Sequence, residues 1–384
     1  MRLLLHGNAP WLTSAYGIQL ALFAPRINSL PNWEVVAISA PYSFGGQVLE
    51  WNGIPVLPSV RDVAGNDVFT ANYEAFKADC VITLCDVFGL LKVAQAGALR
   101  QVNAVHWFPV DTVPLGSGDV TVLREGGGVP IAMSRFGERV LRAEGADPVL
   151  YVPHGVDTDL FCPGDPAPYR DTVPAIGPGT FTIGIVAMNR GRRKAFDQQL
   201  LAFSRFHARH PDSFLSLHTA PEAAPPATNL HGLATRLGIT GAVGFPDSYM
   251  YDTGQITQEQ MATWYRGLDV LSLCSYGEGF GVPLIEAQAC GIPVICTDGS
   301  AMSELCGAGW LVSGTPDFED GHQGWWKRPD AEDIEAALEA AWQAKQDGTL
   351  PKKSARDFAL LYDADRVFTQ FWKPVLAELE ARFG

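Results

Sequence analysis

The chain has 384 residues, of which 47% are hydrophobic and 18% charged, a composition typical of a folded globular protein and unlike that of a disordered chain. This length is enough for two domains of ordinary size, each with its own core. The formal net charge of −14 argues against a nucleic-acid partner, because such binding depends on neutralising phosphates with Lys and Arg.

The first residues and the cysteines bear on where the protein works. Residues 1–11 carry a five-residue apolar run before a polar break, which predicts a first β-strand and is too short for a signal peptide. No apolar run reaches the roughly 18 residues of a membrane span, so we expect no transmembrane segment. Seven cysteines at irregular spacings favour a reducing, cytoplasmic location. Because no Cys-x-x-Cys pair occurs, we expect no metal site. No cofactor is expected either.

Apolar strands alternate with helical segments through the first half of the chain. A helix is predicted at 18–23, and a further helix is expected to open at Ser134, a good N-cap residue. The strand candidates are 2–6, 35–38, 81–84, 104–108, 131–133 and 149–152. This alternation predicts an α/β domain with a doubly wound, mainly parallel sheet, which we place at residues 1–165.

A boundary and a second α/β domain follow. Residues 162–180 hold five prolines and three glycines, so we expect a linker there without a compact element. The second domain is placed at 175–358. Its predicted strands are 181–187, 214–218, 242–245, 269–274 and 293–297, and its predicted helices are 258–265, 284–290 and 330–346. An amphipathic segment is predicted at about 355–383.

The stretch from Ser275 to Glu304 is the most informative part of the chain. A glycine-punctuated loop follows a buried strand, and Pro283 suits a first helical position because its missing N–H would be unpaired there. Gly291 is placed to end the helix as a left-handed cap before the next strand. The pattern predicts a βαβ unit whose loop lies at the carboxyl end of its first strand, where open α/β sheets bind ligands.

Two glutamates in this stretch, Glu278 and Glu286, have no cationic neighbour in sequence. A carboxylate would repel a phosphate at the helix N-terminus, so we expect both to accept hydrogen bonds from hydroxyls. Hydroxyls and phosphate in one site indicate a nucleotide sugar. The alternative is an exposed Glu278 and a Glu286 that complements the helix dipole.

A basic run lies at the carboxyl end of the strand 181–187. Four of the five residues from 190 to 194 are Arg or Lys, in a chain that is acidic as a whole. We expect an anion-binding site here, with a solvated surface loop as the alternative.

These motifs resemble the Glu-x7-Glu signature of retaining glycosyltransferases of the GT-B fold, family four, also called group 1. The likeness covers nearly the whole chain and is strongest over 181–312. The matching residues are Ser275, Glu278, Gly279, Phe280, Gly281, Pro283, Glu286, Ala287, Ala289, Gly291, Ile292, Pro293, Val294 and Glu304. The resemblance implies two Rossmann-like domains facing across a cleft, with a final helix at about 360–384 packing back on the first domain.

The resemblance also implies roles on the donor side. Lys194 corresponds to the family lysine that clamps the donor diphosphate, and the usual arginine is replaced by Asn189. Arg190 or Arg193 must then supply the second cation. Glu278 would bind sugar hydroxyls and Glu286 the ribose. Donor contacts are also expected from Gly279, Phe280 and Gly281, and from Tyr16 and Gly17 in the loop after the first strand.

The acceptor side departs from the family pattern. Relatives often carry a His-Asp pair where this chain has Val110 and Asp111, so Asp111 is the residue we expect to contact sugar or acceptor. Asp86 is expected to line the cleft. Strand alternation places His106 on the face opposite to Asp111, which favours a core histidine over a cleft residue. His154 stands where asparagine is commoner, and either a ligand contact or a turn-stabilising role fits it.

Together these features predict a metal-independent, retaining glycosyltransferase that uses a UDP- or GDP-linked sugar. The first 160 residues hold ten Lys and Arg against fifteen Asp and Glu, without a polybasic helix, so we expect a soluble acceptor: a sugar, a glycan or a protein. The alternatives are another GT-B enzyme, a nucleotide-sugar epimerase or a sugar phosphorylase, and a catalytically inactive nucleotide-sugar-binding module. A nicotinamide oxidoreductase is disfavoured because Gly-x-Gly-x-x-Gly is missing after the first strand.

Overall fold

A computed structural model describes residues 1–40, 47–62, 65–222 and 225–384. The chain divides into two compact units. Unit 1 comprises Met1–Gly155, Phe318–Trp325 and Ala364–Gly384, and unit 2 comprises Val156–Asp317 and Trp326–Asp363. Each unit is built on its own parallel sheet.

Within its described residues, unit 1 contains an eight-stranded sheet in the order β3-β4-β2-β1-β5-β6-β7-β8. Its pairings are parallel except between β3 and β4, so the predicted doubly wound sheet is confirmed. The strands are β1 (Arg2–Gly7), β2 (Glu34–Ala40), β3 (Leu49–Trp51), β4 (Ile54–Pro58), β5 (Cys80–Leu84), β6 (Ala104–Phe108), β7 (Val129–Ala132) and β8 (Leu150–Tyr151).

The edge strands β3 and β4 were not predicted. Two prolines in β4 read as turn signals, and proline is tolerated in a sheet near its edge where fewer N–H donors are needed. β3 has three residues, all of them at least partly exposed, so it carries no apolar run.

The helices of the first 155 residues are α1 (Ala15–Asn28), α2 (Phe69–Ala75), α3 (Leu91–Gln95), α4 (Ser117–Thr121) and α5 (Arg135–Ala143). α1 is longer than predicted and begins at Ser14, whose hydroxyl accepts a hydrogen bond from the Gly17 N–H at 3.2 Å. The predicted N-cap at Ser134 is confirmed, since its hydroxyl accepts from the Gly137 N–H at 2.9 Å.

In the described part of unit 2, six strands form a parallel sheet in the order β11-β10-β9-β12-β13-β14. Numbered within the unit this is 3-2-1-4-5-6, the order of a Rossmann-type doubly wound sheet. The strands are β9 (Phe181–Val186), β10 (Ser213–His218), β11 (Val243–Gly244), β12 (Val270–Leu273), β13 (Val294–Thr297) and β14 (Gly309–Val312).

The helices of unit 2 surround this sheet, and Phe196, Leu200 and Phe203 from one of them pack in its core. The predicted cap at Gly291 is confirmed by its left-handed φ of 77°. The helices are α6 (Ala167–Arg170), α7 (Phe196–Arg209), α8 (Leu230–Leu237), α9 (Ser248–Asp252), α10 (Gln258–Arg266), α11 (Val282–Ala289), α12 (Met302–Leu305), α13 (Ala331–Gln346) and α14 (Lys352–Ala359).

The expectation that residues 162–180 contain no compact element was wrong. α6 forms there, and Arg170 pairs with the buried Asp269 at 2.8 Å. Tyr169 shares a hydrogen bond of 2.6 Å with Ser216. The proline-rich composition hid this helix because its stability comes from contacts with distant residues.

The last part of the chain contains a strand pair and a broken helix. β15 (Gly314–Glu319) and β16 (Gly324–Pro329) form a two-stranded sheet whose tip, Phe318–Trp325, belongs to unit 1. α15 (Ala364–Val367) and α16 (Lys373–Phe383) are joined by a π-helical turn and also belong to unit 1. The predicted segment at 355–383 is therefore several helices. Across the described residues we find no helix with the length and apolarity needed to cross a membrane.

Candidate functional site

The strand order of unit 2 places two of the predicted motifs side by side. β9 and β12 are neighbours, and the chain turns in opposite directions from them, so a crevice opens beyond their carboxyl ends. The basic run follows β9, and the loop containing Glu278 follows β12. The fold therefore brings together residues that lie 84 positions apart.

The basic loop has a defined backbone. Gly191 (φ 69°) and Ala195 (φ 48°) lie in the left-handed region, and a single turn of 3₁₀ helix, Arg192–Lys194, lies between them. Asn189 is buried, and its side-chain amide donates to the carbonyls of Ala220 and Thr228 at 3.1 and 2.7 Å. Asn189 thus serves the architecture of the loop.

Glu278 is paired with two of these cations. Its Oε1 lies 2.5 Å from Lys194 Nζ, and its Oε2 lies 2.9 Å from a guanidinium nitrogen of Arg193. The same Arg193 nitrogen donates to the Gly277 carbonyl at 2.6 Å. The sequence interpretation of Glu278 as a carboxylate without a cationic partner is thus incomplete, because its partners come from another loop.

The pairing determines the charge of Glu278. Burial by itself raises the pKa of this carboxyl, but the charges of Lys194 and Arg193 and the hydrogen bond from Lys194 together outweigh burial. The pKa is lowered to about 2. The Glu278 N–H is held by the Ser300 hydroxyl at 2.9 Å. Glu278 is therefore a fixed carboxylate at neutral pH.

The second glutamate has a different environment. Glu286 is buried on α11, and its Oε2 accepts a hydrogen bond from the Tyr265 hydroxyl at 2.8 Å. Burial raises the pKa of Glu286 to about 7, against the opposing effect of that hydrogen bond. No sequence pattern pointed to Tyr265, because 21 residues separate it from its partner.

The other loop residues have distinct roles. Phe280 is buried and packs edge-on against Tyr362, with ring centroids 5.9 Å apart, so its side chain supports the loop. Gly281 has φ 104° and is the N-cap of α11, a conformation in which a side chain would be strained. Gly279 is partly exposed. The first N–H groups of a helix have no acceptor within it, so this turn presents donors to an anion.

The two candidate arginines, Arg190 and Arg193, have different environments. Arg193 is half-buried beside Glu278, whereas Arg190 is exposed. Arg192 pairs instead with Asp317 of β15 at 2.8 Å. Nearby, Trp326 of β16 clusters with Ala195 and Tyr276. Residues of both β15 and β16 therefore contact the cation loop.

In unit 1 the switch of strand direction lies between β1 and β5. Tyr16 and Gly17 were expected in the loop after β1 but lie in the first turn of α1. Tyr16 donates its hydroxyl to Asp86 Oδ1, just after β5, at 2.7 Å. The Gly17 N–H is used by the Ser14 cap, and a side chain at Gly17 would approach backbone oxygens at 2.6–2.7 Å. Gly17 is thus required for close packing of the first loop.

His154 lies close to Tyr16, with ring centroids 6.4 Å apart, and its ring stacks edge-on to Trp107 at 4.8 Å. Burial lowers the pKa of His154 to about 3, so the ring is neutral at pH 7. The neighbouring Gly155 is held by Gln19 through two hydrogen bonds of 2.8 and 2.9 Å. The structure brings Tyr16, Asp86 and His154 together.

Asp111 lies near a carboxyl that the sequence did not single out. Asp119, in the first turn of α4, is buried, and its pKa is raised to about 8 by burial and by the charges of Asp111 and Asp86. An aspartate in a first helical turn is commonly explained by the helix dipole, so nothing in the sequence pattern singled out Asp119. Asp119 is therefore influenced by the charges of two other aspartates of unit 1.

His106 is a core histidine. It is 1% exposed, its Nδ1 pairs with the Thr83 hydroxyl at 2.9 Å, and its Nε2 lies 3.2 Å from the Gly127 carbonyl. Burial lowers its pKa to about 4. Among the described residues, no three His, Cys, Asp or Glu side chains form a group able to hold a metal ion.

Solved structures share this fold. The chain superposes on HepE of Anabaena in complex with UDP and glucose with a TM-score of 0.73, over 98% of this chain and 100% of that one, at 16% identity. It superposes on sucrose-phosphate synthase of Thermosynechococcus elongatus with a TM-score of 0.74, over 99% and 100%, at 18% identity. The fold is GT-B, with two Rossmann-like domains.

Part of the sequence resembles a known family. Residues 180–342 match the family model described as glycosyl transferases group 1. It is 37% identical over 186 residues to D-inositol 3-phosphate glycosyltransferase 2 of Catenulispora acidiphila, covering 46% of this chain and 42% of the relative. It is 28% identical over 219 residues to D-inositol 3-phosphate glycosyltransferase of Stackebrandtia nassauensis, covering 54% and 47%. The chain thus spans less than half the length of these curated relatives.

Proposed function

We propose that this chain transfers a sugar, with retention of anomeric configuration and without a metal ion, from a nucleoside-diphosphate sugar to an acceptor hydroxyl. The observation that carries the proposal is the cluster of Lys194, Arg193 and Glu278 at the switch point of unit 2, beside the N-terminus of α11. Two cations, a helix N-terminus and a fixed carboxylate in one place match the chemistry of a sugar linked to a diphosphate.

The cations would stabilise the leaving group. Cleavage of the sugar–phosphate bond leaves negative charge on the diphosphate, and Lys194 and Arg193 are already oriented where that charge would develop. In the resting site Glu278 neutralises part of their charge. When the diphosphate takes over these contacts, Glu278 becomes available to accept hydrogen bonds from sugar hydroxyls. Preorganised donors of this kind each contribute about 3–4 kcal/mol to lowering a barrier.

Glu286 would bind the ribose of the nucleotide. The carboxylate can accept hydrogen bonds from the two ribose hydroxyls, whereas the backbone of α11 has no acceptor to offer at its N-terminus. The complexes of Anabaena HepE with UDP and with UDP-glucose support a UDP-linked donor, and a GDP-linked donor is the other candidate.

No protein nucleophile is needed in this scheme. The leaving diphosphate oxygen accepts the proton of the acceptor hydroxyl as the new bond forms on the same face of the sugar. The cations supply the electrostatic stabilisation that a metal ion supplies in other transferases.

The acceptor would be a soluble molecule with free hydroxyls, such as a sugar, a glycan or a protein. Tyr16, Asp86, Asp111 and Asp119 present oxygen atoms in unit 1 that can bind hydroxyls. Both relatives are named D-inositol 3-phosphate glycosyltransferases. An acidic cluster repels phosphate, so a neutral polyol fits these aspartates better than a phosphorylated one.

The test is a nucleotide-release assay with a panel of UDP-, GDP- and ADP-linked sugars, with and without acceptors, after treatment with EDTA. Release that depends on acceptor, with an α-linked product from an α-linked donor by NMR, supports the proposal. Conversion of the donor without an acceptor indicates an epimerase, and dependence on free phosphate indicates a phosphorylase. Nucleotide binding without any turnover indicates an inactive binding module.

A further inference from the structure

We infer that Tyr265 is a positioning residue for nucleotide binding, because its hydroxyl holds the Glu286 carboxylate in place for the hydroxyls of the donor ribose. The inference rests on the proposed function, since it takes Glu286 to be the ribose acceptor. It assigns a role to a residue outside the Ser275–Glu304 stretch, on the helix that precedes β12.

The contact is a single, well-placed hydrogen bond. Tyr265 is fully buried, Glu286 is 8% exposed, and their oxygens are 2.8 Å apart. Among the described residues, Tyr265 is the one hydrogen-bond donor to this carboxylate. Because the bond uses Oε2, Oε1 is left for a ligand. The hydroxyl thus fixes one oxygen and thereby the direction of the other.

The helix that carries Tyr265 is itself rigidly held. Thr257 and Gln260 form a reciprocal capping box at the start of α10. The adjacent Trp264 donates its indole N–H to Ser216 at 2.8 Å, and its ring lies 5.0 Å from that of Tyr265. Because α10 is held in this way, the Tyr265 hydroxyl has little freedom to move and can orient the Glu286 side chain on α11.

The hydroxyl has no packing function that phenylalanine could not serve. The ring packs edge-on to Phe161 at 5.9 Å, a contact that a phenyl group would preserve. A buried phenol O–H requires an acceptor, and here that acceptor is the carboxylate predicted to bind ribose. If the Tyr265–Glu286 pair were purely structural, its loss would change only the stability of the fold. If Tyr265 positions Glu286, its loss also changes the ionisation of Glu286 on which nucleotide binding depends.

The titration of Glu286 makes the positioning role of Tyr265 measurable. Its pKa, raised to about 7 by burial, is lowered by the Tyr265 hydrogen bond, so loss of the hydroxyl raises that pKa further. The other titratable group near it on α11 is Cys290, a thiol kept neutral by burial. Arg266, Arg356 and Cys162 influence that thiol in turn. Nucleotide affinity should fall as pH decreases through the Glu286 pKa, because a protonated carboxyl accepts fewer hydrogen bonds.

The experiment is calorimetry of UDP and GDP binding from pH 6 to pH 9 with wild type and Tyr265→Phe. If the pKa of Glu286 rises by about one unit, its ionised fraction at pH 7 falls from about one half to about one tenth, so affinity falls about fivefold. At pH 9 the two proteins should bind alike. An unchanged pH dependence in the variant overturns the inference.

Two controls separate this inference from the proposed function. Tyr73→Phe removes a partly buried hydroxyl of unit 1 whose partner is the Asp79 carbonyl, and should leave the pH dependence as in wild type. Glu286→Gln retains the titration of the nucleotide phosphates but should bind weakly at every pH. If wild type binds no nucleotide, the proposed function fails. If wild type binds and Glu286→Gln binds equally well, the ribose assignment and this inference fail while a donor site stands.

A second substitution keeps the inference testable if Tyr265→Phe does not fold. Replacement of Tyr265 by 3-fluorotyrosine preserves the ring and makes the hydroxyl a stronger donor. The midpoint of the pH dependence, and the Glu286 carboxyl titration followed by ¹³C NMR, should then move to lower pH. A midpoint at the wild-type value contradicts the inference.

Discussion

Lys194 Nζ and Glu278 Oε1 are 2.5 Å apart in a pair whose side chains are 13% and 10% exposed. Such a pair orders both side chains before the donor binds. In the proposed complex the cation would contact the diphosphate and the carboxylate would contact the sugar. Removing Lys194 leaves the buried Glu278 with Arg193 but without its second cation, which costs more than the loss of a surface pair.

Lys194→Ala should lower turnover of the nucleotide sugar by about 10²–10³-fold, because one preorganised cation at the leaving group is lost. Steady-state nucleotide release with the best donor measures this. The matched control is Lys353→Ala, which removes an exposed ion pair with Asp357 and should leave turnover unchanged. Full activity of Lys194→Ala in a folded protein would exclude the role assigned to it.

Arg193→Ala should weaken UDP or GDP binding by about tenfold or more, since a hydrogen bond to a charged group contributes about 1.5–3 kcal/mol. Arg190→Ala should bind nucleotide as wild type does, because Arg190 is exposed and Arg193 lies beside Glu278. Calorimetry at constant ionic strength compares the two. A larger loss for Arg190→Ala would reverse the assignment.

Acid should destabilise the wild-type protein partly through Glu278. Its pKa is lowered from 4.5 to about 2, so its contribution to stability is fully present above pH 4.5 and is lost as the pH falls through 2. This difference corresponds to about 3 kcal/mol. Urea unfolding from pH 6 to pH 2 should therefore show a shallower pH dependence for Glu278→Gln than for wild type. Parallel curves would show that the carboxylate is not stabilised by its cations.

Asp119 should show the opposite pH dependence. Its pKa is raised from 3.8 to about 8, so the folded state favours the neutral carboxyl, and stability is lost as the pH rises from about 4 to 8. Asp119→Asn stays neutral and should gain at least about 1 kcal/mol over wild type at pH 8, with little difference at pH 4. Thermal unfolding at the two pH values measures this. An equal difference at both would mean that Asp119 is not held neutral.

Much of the fold could be predicted because local signals are strong where elements are buried. The β12–α11–β13 unit followed from an apolar run, Pro283 and Gly291, and the parallel pairing of β12 and β13 confirms it. The predictions failed where stability comes from distant contacts, as in α6 and the edge pair of β3 and β4. α6 and β3 have few apolar residues of their own, and two prolines flank the apolar residues of β4, so no periodicity marks these elements.

The sequence by itself determined the alternating elements, the glycine and proline positions that end them, and the types of residue the site needs: a pair of glutamates and a run of cations. The tertiary structure decided which of these residues meet. The strand order β9-β12 brings Lys194 to Glu278, and the left-handed turns at Gly191 and Ala195 place Arg193 there while Arg190 stays in solvent. The tertiary structure likewise brings Tyr265 to Glu286 and Asp119 close to Asp111. The physical reason is that hydrogen bonds and ion pairs depend on distances of a few ångströms, which sequence spacing does not specify once the partners lie on different elements.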